Sequence, residues 1–462
     1  MVFSSTVFLF LFLPVVLVLN FLLPDKWKNT FLLFASLFFY AWGEKGYVLI
    51  MIVSILLNYG LGILIQQKRN PTSIGIGVFL NLALLIYYKY FGFLCTNIFS
   101  LLGLKMELEM VHLPIGISFF TFQGISYIVD VYRQDAIAEK SVVNTGLYIS
   151  LFPQLIAGPI VRYNTIMDQI KSRTLTLFQF SEGTKRFIIG LAKKVIIANT
   201  LGQVADGIMD GSPDQWYSDS AWLGVVCYAL QIYYDFSGYS DMAIGLGKMF
   251  GFDFQENFNF PYQSKSVQEF WRRWHISLSS WFKDYLYIPL GGNRKGARRL
   301  YVNLLIVFLL TGFWHGASWN FIVWGLFHGL FLILERVGLG SWLERTPAIF
   351  SRVYLILVVL IAWVFFRIEE IEVAWGYIIH LFAFDRFDFS LLRDNYLNNY
   401  QYLILVLGLV LSYDWRKKLR LVSARIPIVY QAVQALLLLV LLLYTSSEVA
   451  NATYNPFIYF RF

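Results

Sequence analysis

The sequence predicts an all-α polytopic membrane protein, with residues 1–462 forming one membrane-embedded domain. Three observations predict it. Hydrophobic residues make up 58% of the chain and charged residues 14%, whereas a soluble domain is roughly a quarter charged. The mean hydropathy is +0.59, and the shortage of charge runs over the whole length, which excludes a soluble domain with a single anchor. Aromatic residues reach 19%, a content suited to interfacial belts and crowded helix packing.

Apolar runs approaching the length a bilayer requires, about 18–25 residues, lie near 7–24, 29–43, 46–66, 73–94, 114–131, 143–160, 185–204, 220–247, 301–316, 318–334, 352–367, 401–413 and 429–447. The first, from Met1 to Leu13, lacks the basic start and small-residue cleavage site of a secretory signal and reads as a retained helix. Several runs are too short to span, and those near 143–160, 185–204 and 301–334 are interrupted by Pro, Gly, Lys or His. Broken helices at membrane depth are tolerated only where protein or a water-filled cavity surrounds them. The expectation is about eleven transmembrane helices, with re-entrant and interfacial pieces around a central tunnel.

Lys and Arg set the orientation. Lys26 and Lys28, Lys68 and Arg69, and Arg133 and Lys140 follow the first, third and fifth helices, while the segment from Asp206 to Asp219 carries acids and no cation. This pattern places the N-terminus outside and the loops at 25–28, 67–71, 132–142 and 161–174 in the cytoplasm, together with the basic clusters at 294–299 and 416–420. The net charge of +8 fits such loops. No long basic run with interleaved aromatics exists, which excludes a nucleic-acid surface. Cys95 and Cys227, the only cysteines, give neither a disulfide framework nor a metal motif, and no HExxH motif occurs.

His315 is the strongest candidate for chemistry. It lies in Thr311-Gly312-Phe313-Trp314-His315-Gly316-Ala317, between two apolar runs. An imidazole at membrane depth is costly to bury and faces a protein-lined cavity. His328 has a similar setting, and each of the two histidines is bracketed by glycines four residues apart, which lets helices approach closely. Thirteen residues turn a helix by about 220°, so the two histidines make a poor metal pair. His112 and His380 read as structural. The segment Phe270 to Tyr285 predicts one interfacial helix, with Trp271, Trp274, Leu278, Trp281 and Tyr285 as an anchoring stripe and Arg272, His275 and Ser279 as a polar stripe beside it. His275 is either functional or a structural hydrogen-bonding group. Asp235 and Asp241, inside the apolar run with Tyr239, either bond Tyr and Ser hydroxyls on neighbouring helices or touch substrate.

An imidazole kept neutral by desolvation takes the proton of a hydroxyl as that hydroxyl attacks an acyl carbonyl. A membrane-depth cavity shields an activated acyl donor from water. The GxSxG signature is absent, so an acyl-serine route has no support in the sequence.

These residues resemble a known family. The runs Tyr234-Asp235-Phe236-Ser237-Gly238-Tyr239-Ser240-Asp241, Glu256-Asn257-Phe258-Asn259 with Pro261-Tyr262, Phe270-Trp271-Arg272-Arg273-Trp274-His275, Leu290-Gly291-Gly292-Asn293 and Trp314-His315-Gly316-Ala317 are similar to the membrane-bound O-acyltransferases, in particular the bacterial polysaccharide O-acetyltransferases. The start of the chain and Leu113-Pro114-Ile115-Gly116-Ile117-Ser118-Phe119 resemble the alginate-acetylating members. The likeness covers most of the chain, is concentrated in residues 231–334 and is weakest after about residue 370.

The resemblance implies a helical core around a tunnel, with His315 catalytic and His275 as a second polar position in the site. It also implies acetyl-CoA as a cytoplasmic donor and a periplasmic partner of the SGNH-esterase type that completes transfer to a sugar hydroxyl. On this reading the chain lies in a bacterial inner membrane. His315 is the base, and Arg272, Arg273, Asp235, Tyr239, Asn293 and Trp314 hold the donor or line the cavity. Alginate-type exopolysaccharide, peptidoglycan and cellulose stay open as acceptors. The cluster at 294–299 suits CoA phosphates, an acidic carrier protein as in the D-alanylating relatives, or plain anchoring. An ion-coupled transporter using Asp235 and Asp241 is the competing class. It leaves the helix rich in Trp, Arg and His unexplained.

Overall fold

The computed structural model describes residues 1–104, 111–156, 158–387, 392, 396–416, 418–419, 421 and 426–451. Most of them are helical, and none forms a strand. Among the described residues, seven helical stretches are long and apolar enough to cross a membrane: Asp25–Lys68, Pro71–Leu101, Leu177–Met209, Gly296–His315, Trp319–Arg345, Ala348–Arg367 and Pro427–Asn451. Three shorter apolar helices, Phe8–Leu22, Ile371–Leu381 and Asn399–Leu411, accompany them. This count takes helices that follow one another directly as a single stretch. The runs at 29–43 and 46–66 fall in one stretch that turns at Lys45, φ 47°, and holds two helices, Asp25–Glu44 and Val48–Lys68. Those at 114–131 and 220–247 fold as helices, but the first has only 17 residues and the second carries Asp, Ser and Gln along its length. The chain is a multi-pass membrane protein, and its Cα positions cluster into two compact units.

The first unit comprises Met1–Phe187 and Ser240–Glu256. Its helices are α1 (Leu13–Leu22), α2 (Asp25–Glu44), α3 (Val48–Lys68), α4 (Pro71–Leu85), α5 (Phe91–Leu101), α6 (Ile117–Arg133), α7 (Val142–Ser150), α8 (Phe152–Leu155) and α9 (Tyr163–Lys171). It shares α10 (Leu177–Ala192) and α12 (Ser218–Met249) with the second unit. Helix α6 is buried almost throughout and packs on α3 and α4. Asn58 of α3 and Asn81 of α4 exchange amide hydrogen bonds of 3.0 Å, the polar glue expected where no water is at hand. Arg186 forks onto Asp241 at 2.8 Å and also onto Glu256. Asp241 thus has a cation as a partner. An unpaired carboxylate is far more costly to bury than an unpaired hydroxyl, and a guanidinium neutralises it.

The second unit comprises Ile188–Tyr239 and Asn257–Phe462. Its helices are α11 (Asn199–Met209), α13 (Val267–Arg273), α14 (Ile276–Phe282), α15 (Gly296–His315), α16 (Trp319–Leu334), α17 (Gly340–Arg345), α18 (Ala348–Arg367), α19 (Ile371–Leu381), α20 (Asn399–Leu411) and α21 (Pro427–Asn451). The tightest packing in the unit is α15 on α16, and α18 covers α16. Gly312 and Gly325 make that closeness possible. A Cβ on Gly312 would collide with the Phe321 carbonyl oxygen; one on Gly325 would collide with that of Phe308 and lie 3.1 Å from the Gly312 Cα. Backbone atoms cannot swing aside as a flexible side chain can, so Gly325→Val is expected to destabilise the protein by about 1–3 kcal/mol. Thermal unfolding of the purified protein in detergent measures this, and an unchanged midpoint would show that the glycine contact is dispensable.

Candidate functional site

Three buried histidines of the second unit meet around two tryptophans. His315 is the last residue of α15. The helix stops there because Gly316 is extended, at φ −166° and ψ 153°, and α16 opens two residues later behind Ser318. The His315 ring is 5% exposed. Its centroid lies 4.9 Å from Trp314, 5.0 Å from Trp324 of α16 and 5.1 Å from Phe366 of α18, all in edge-to-face contact. His328 is fully buried, 5.1 Å from both Trp324 and Trp271 and stacked parallel to Phe270 at 6.3 Å. Neither of its nitrogens finds a hydrogen-bond partner among the described residues. His275 is also fully buried, 4.6 Å from Phe236 and 6.1 Å from Trp314. Trp314 therefore touches His275 and His315, while Trp324 touches His315 and His328.

The expected single interfacial helix over 270–285 is not what forms. The backbone breaks at His275, which is left-handed at φ 44° and ψ 54° and caps α14 after α13 has ended. The break removes the polar stripe, because Arg272, His275 and Ser279 no longer lie on one helix. Trp271, Trp274 and Trp281 are core residues, 8%, 3% and 6% exposed, not headgroup anchors. Periodicity fails here because the bend is held from outside the segment: Ile276 N donates to Asn257 O at 2.9 Å, and Asn259 N donates to Arg273 O at 2.9 Å.

A cavity of about 440 Å³ lies beside this cluster, between α13–α14 and α15–α16. Trp271, Leu304, Phe308 and Leu332 give it apolar walls, and Arg272, Lys283 and Arg336 contribute three cations without a carboxylate among the lining residues. These three cations are exposed. On α15 the lining runs through Leu304, Phe308 and Thr311. His315 follows Thr311 by four residues, one helical turn or about 6 Å along the axis, on the same face.

The other residues singled out in the sequence fall in varied places. Trp314 is at the centre of the cluster. Arg273 is held by Glu269 at 2.8 Å and donates to Asn259 O at 3.2 Å. Asn293 is exposed in the turn before α15. Tyr239 is buried on α12. Asp235 pairs with Lys194 at 2.7 Å, both side chains being 3% exposed. Lys194 also donates to Asn199 at 2.9 Å, from a π-helical turn at Lys193–Ala198. Sequence reasoning gave no role to Lys194, Lys283 or Arg336, and named Asn257 only as part of a motif. For Lys194 a signal existed, a lysine interrupting an apolar run. Lys283 and Arg336 carry no such signal, since they meet only through the fold. Outside the site, His112 bonds Glu44 at 3.0 Å, and His380 lies 4.0 Å from Asp385.

Residues 132–371 match the model of the membrane-bound O-acyltransferase family. The whole chain is 42% identical to a probable alginate O-acetylase of Pseudomonas putida, covering all of both chains. It is 44% identical to the probable alginate O-acetylase of Pseudomonas aeruginosa over 89% of this chain and 81% of the relative. A peptidoglycan O-acetyltransferase of Helicobacter pylori is 38% identical over 81% of this chain and 78% of the relative.

Proposed function

Because the chain belongs to the membrane-bound O-acyltransferase family, we propose that it is a membrane O-acetyltransferase that moves acetyl from cytoplasmic acetyl-CoA toward an extracytoplasmic polysaccharide, of alginate type, with His315 as its catalytic base. The enzyme class follows from the family. The relatives' names and their coverage support the polymer, and the orientation rests on the distribution of Lys and Arg, which puts the 294–299 cluster inside and the N-terminus outside the inner membrane.

The observation that carries the donor and the base is the cavity. Its cations suit CoA phosphates, its apolar walls suit the pantetheine arm, and its α15 wall ends at Thr311, one helical turn before His315. At that point the acceptor hydroxyl adds to the thioester carbonyl. A carbon–oxygen bond forms as His315 takes the hydroxyl proton. The tetrahedral intermediate then collapses, the carbon–sulfur bond breaks, and the thiolate leaves with the proton returned by His315. The sum is one ester and one thiol, with no net proton. The surrounding Trp314, Trp324 and Phe366 rings keep water from hydrolysing the thioester. A periplasmic partner of the SGNH type is the immediate acceptor on this reading and completes delivery to the sugar. The competing transporter reading relied on the two carboxylates Asp235 and Asp241. Each has a cation, Asp235 at Lys194 and Asp241 at Arg186.

The donor assignment is tested by the combined change Arg272→Gln, Lys283→Gln and Arg336→Gln. The KM for acetyl-CoA is expected to rise roughly three- to tenfold, while the affinity for the partner stays as in the parent. An unchanged KM would remove the cavity from donor binding.

A further inference from the structure

Asn257 sits in the extended stretch between α12 and α13, completely buried. Three groups converge on its side-chain Oδ1: Ser277 N at 3.1 Å, Ser277 Oγ at 2.8 Å and His275 Nδ1 at 3.2 Å. The backbone N–H can only donate, so the atom it reaches is the amide oxygen and not the amide nitrogen. An amide oxygen only accepts, so His275 Nδ1 bears the hydrogen. Ser277 Oγ lies 3.5 Å from the same Nδ1 and commits its own proton to Asn257.

A neutral imidazole holds one N–H, so His275 Nε2 is left with a bare lone pair. That nitrogen is buried and finds no hydrogen-bond partner among the described residues. The ring stays neutral because burial holds its pKa near 3, with no neighbouring charge contributing to the shift. The charged groups on the elements around it are engaged or turned to other tasks. Asp235, next to Phe236 on α12, is held by Lys194, and Arg273 of α13 is held by Glu269. Arg272 lines the cavity, and His315 lies beyond Trp314 on α15. The backbone supports the same design. A left-handed histidine is strained and persists only where its surroundings impose it; here the Asn257 carbonyl imposes it through Ile276 N.

We propose that Asn257 is a positioning residue that locks His275 in its Nδ1–H tautomer, so that the site presents His275 Nε2 as a hydrogen-bond acceptor toward a donor N–H or O–H of the bound reactants other than the attacking hydroxyl, whose one proton goes to His315. In this tautomer His275 orients a bound reactant by accepting from its donor group and cannot donate to the oxyanion. The role of the tautomer in catalysis rests on the acyl-transfer reading; the tautomer itself does not.

The test uses full-length protein in detergent micelles with ring-15N histidine, the His275 signals being assigned with His275→Gln. The wild-type ring is expected to show a protonated Nδ1 and a bare Nε2 from pH 8 down to pH 5. Asn257→Asp keeps the acceptor and should keep the tautomer. Its carboxylate favours imidazolium, so the ring should charge at a higher pH than in the wild type, and the acid limb of the pH–activity profile should move up by about one unit or more. Asn257→Leu should mix the two tautomers and lower kcat by at least about tenfold at unchanged donor KM. An Nε2–H signature in the wild type, or wild-type tautomer populations in Asn257→Leu, would overturn the proposal. The ring signals are read without substrate, so they can fail while acyl transfer stands, and the activity readouts can fail while the tautomer stands.

Discussion

His315→Ala is expected to reduce polymer acetylation by about 10²- to 10⁴-fold, the range lost when a positioned general base is removed, while membrane levels of the protein stay close to the parent. The helix end does not depend on the imidazole, because Gly316 and the Gly312–Gly325 contact stop and hold α15 without it. Mass spectrometry of the acetylated polymer, with immunoblotting of the membrane fraction, measures both quantities. His328→Phe is the control. Both His328 nitrogens lack partners among the described residues, and its neighbours are Trp271, Trp324 and Phe270. A phenyl ring of similar size therefore keeps the packing and most of the activity. Wild-type acetylation in His315→Ala, or complete loss in well-expressed His328→Phe, would reverse the order of the two histidines.

The second large effect is expected at Asp235. Asp235→Leu leaves the Lys194 ammonium buried and opposite an alkyl group, which costs about 3–5 kcal/mol. Adding Lys194→Met removes the stranded charge and should restore most of that loss, because an apolar pair of similar volume is a fair substitute for a buried ion pair. Thermal unfolding of the single and double variants in detergent measures the coupling. Equal stability of the single variant and the parent would mean that the 2.7 Å pair contributes nothing. The effect also reaches the site, since Phe236 follows Asp235 directly and its ring meets His275 at 4.6 Å.

The fold class was legible in the sequence because it rests on local information. Charge shortage and apolar runs identify the spans, and the glycines beside His315 announce a close helix crossing that Gly312 and Gly325 carry out. What could not be read is what depends on contacts distant in sequence. The stripe of Trp271, Trp274 and Trp281 looks like an interfacial helix by spacing alone; only the hydrogen bond from Ile276 to Asn257, nineteen residues earlier in sequence, turns it into two short helices around a buried histidine. The cation opposite Asp235 is forty-one residues upstream and arrives through a π-helical turn that no period predicts. The Lys283 and Arg336 side of the cavity is assembled from two helices far apart in the chain and has no motif of its own.

Sided transfer tests the account most directly. Purified protein is reconstituted into vesicles with the 294–299 cluster facing outward, labelled acetyl-CoA is added outside, and the periplasmic-type partner with oligosaccharide is enclosed. The account predicts that label reaches the enclosed sugar with the parent chain and not with His315→Ala, and that acetyl-CoA enclosed with the sugar is not used. Equal labelling by His315→Ala, or transfer from acetyl-CoA on the sugar's own side, would contradict it.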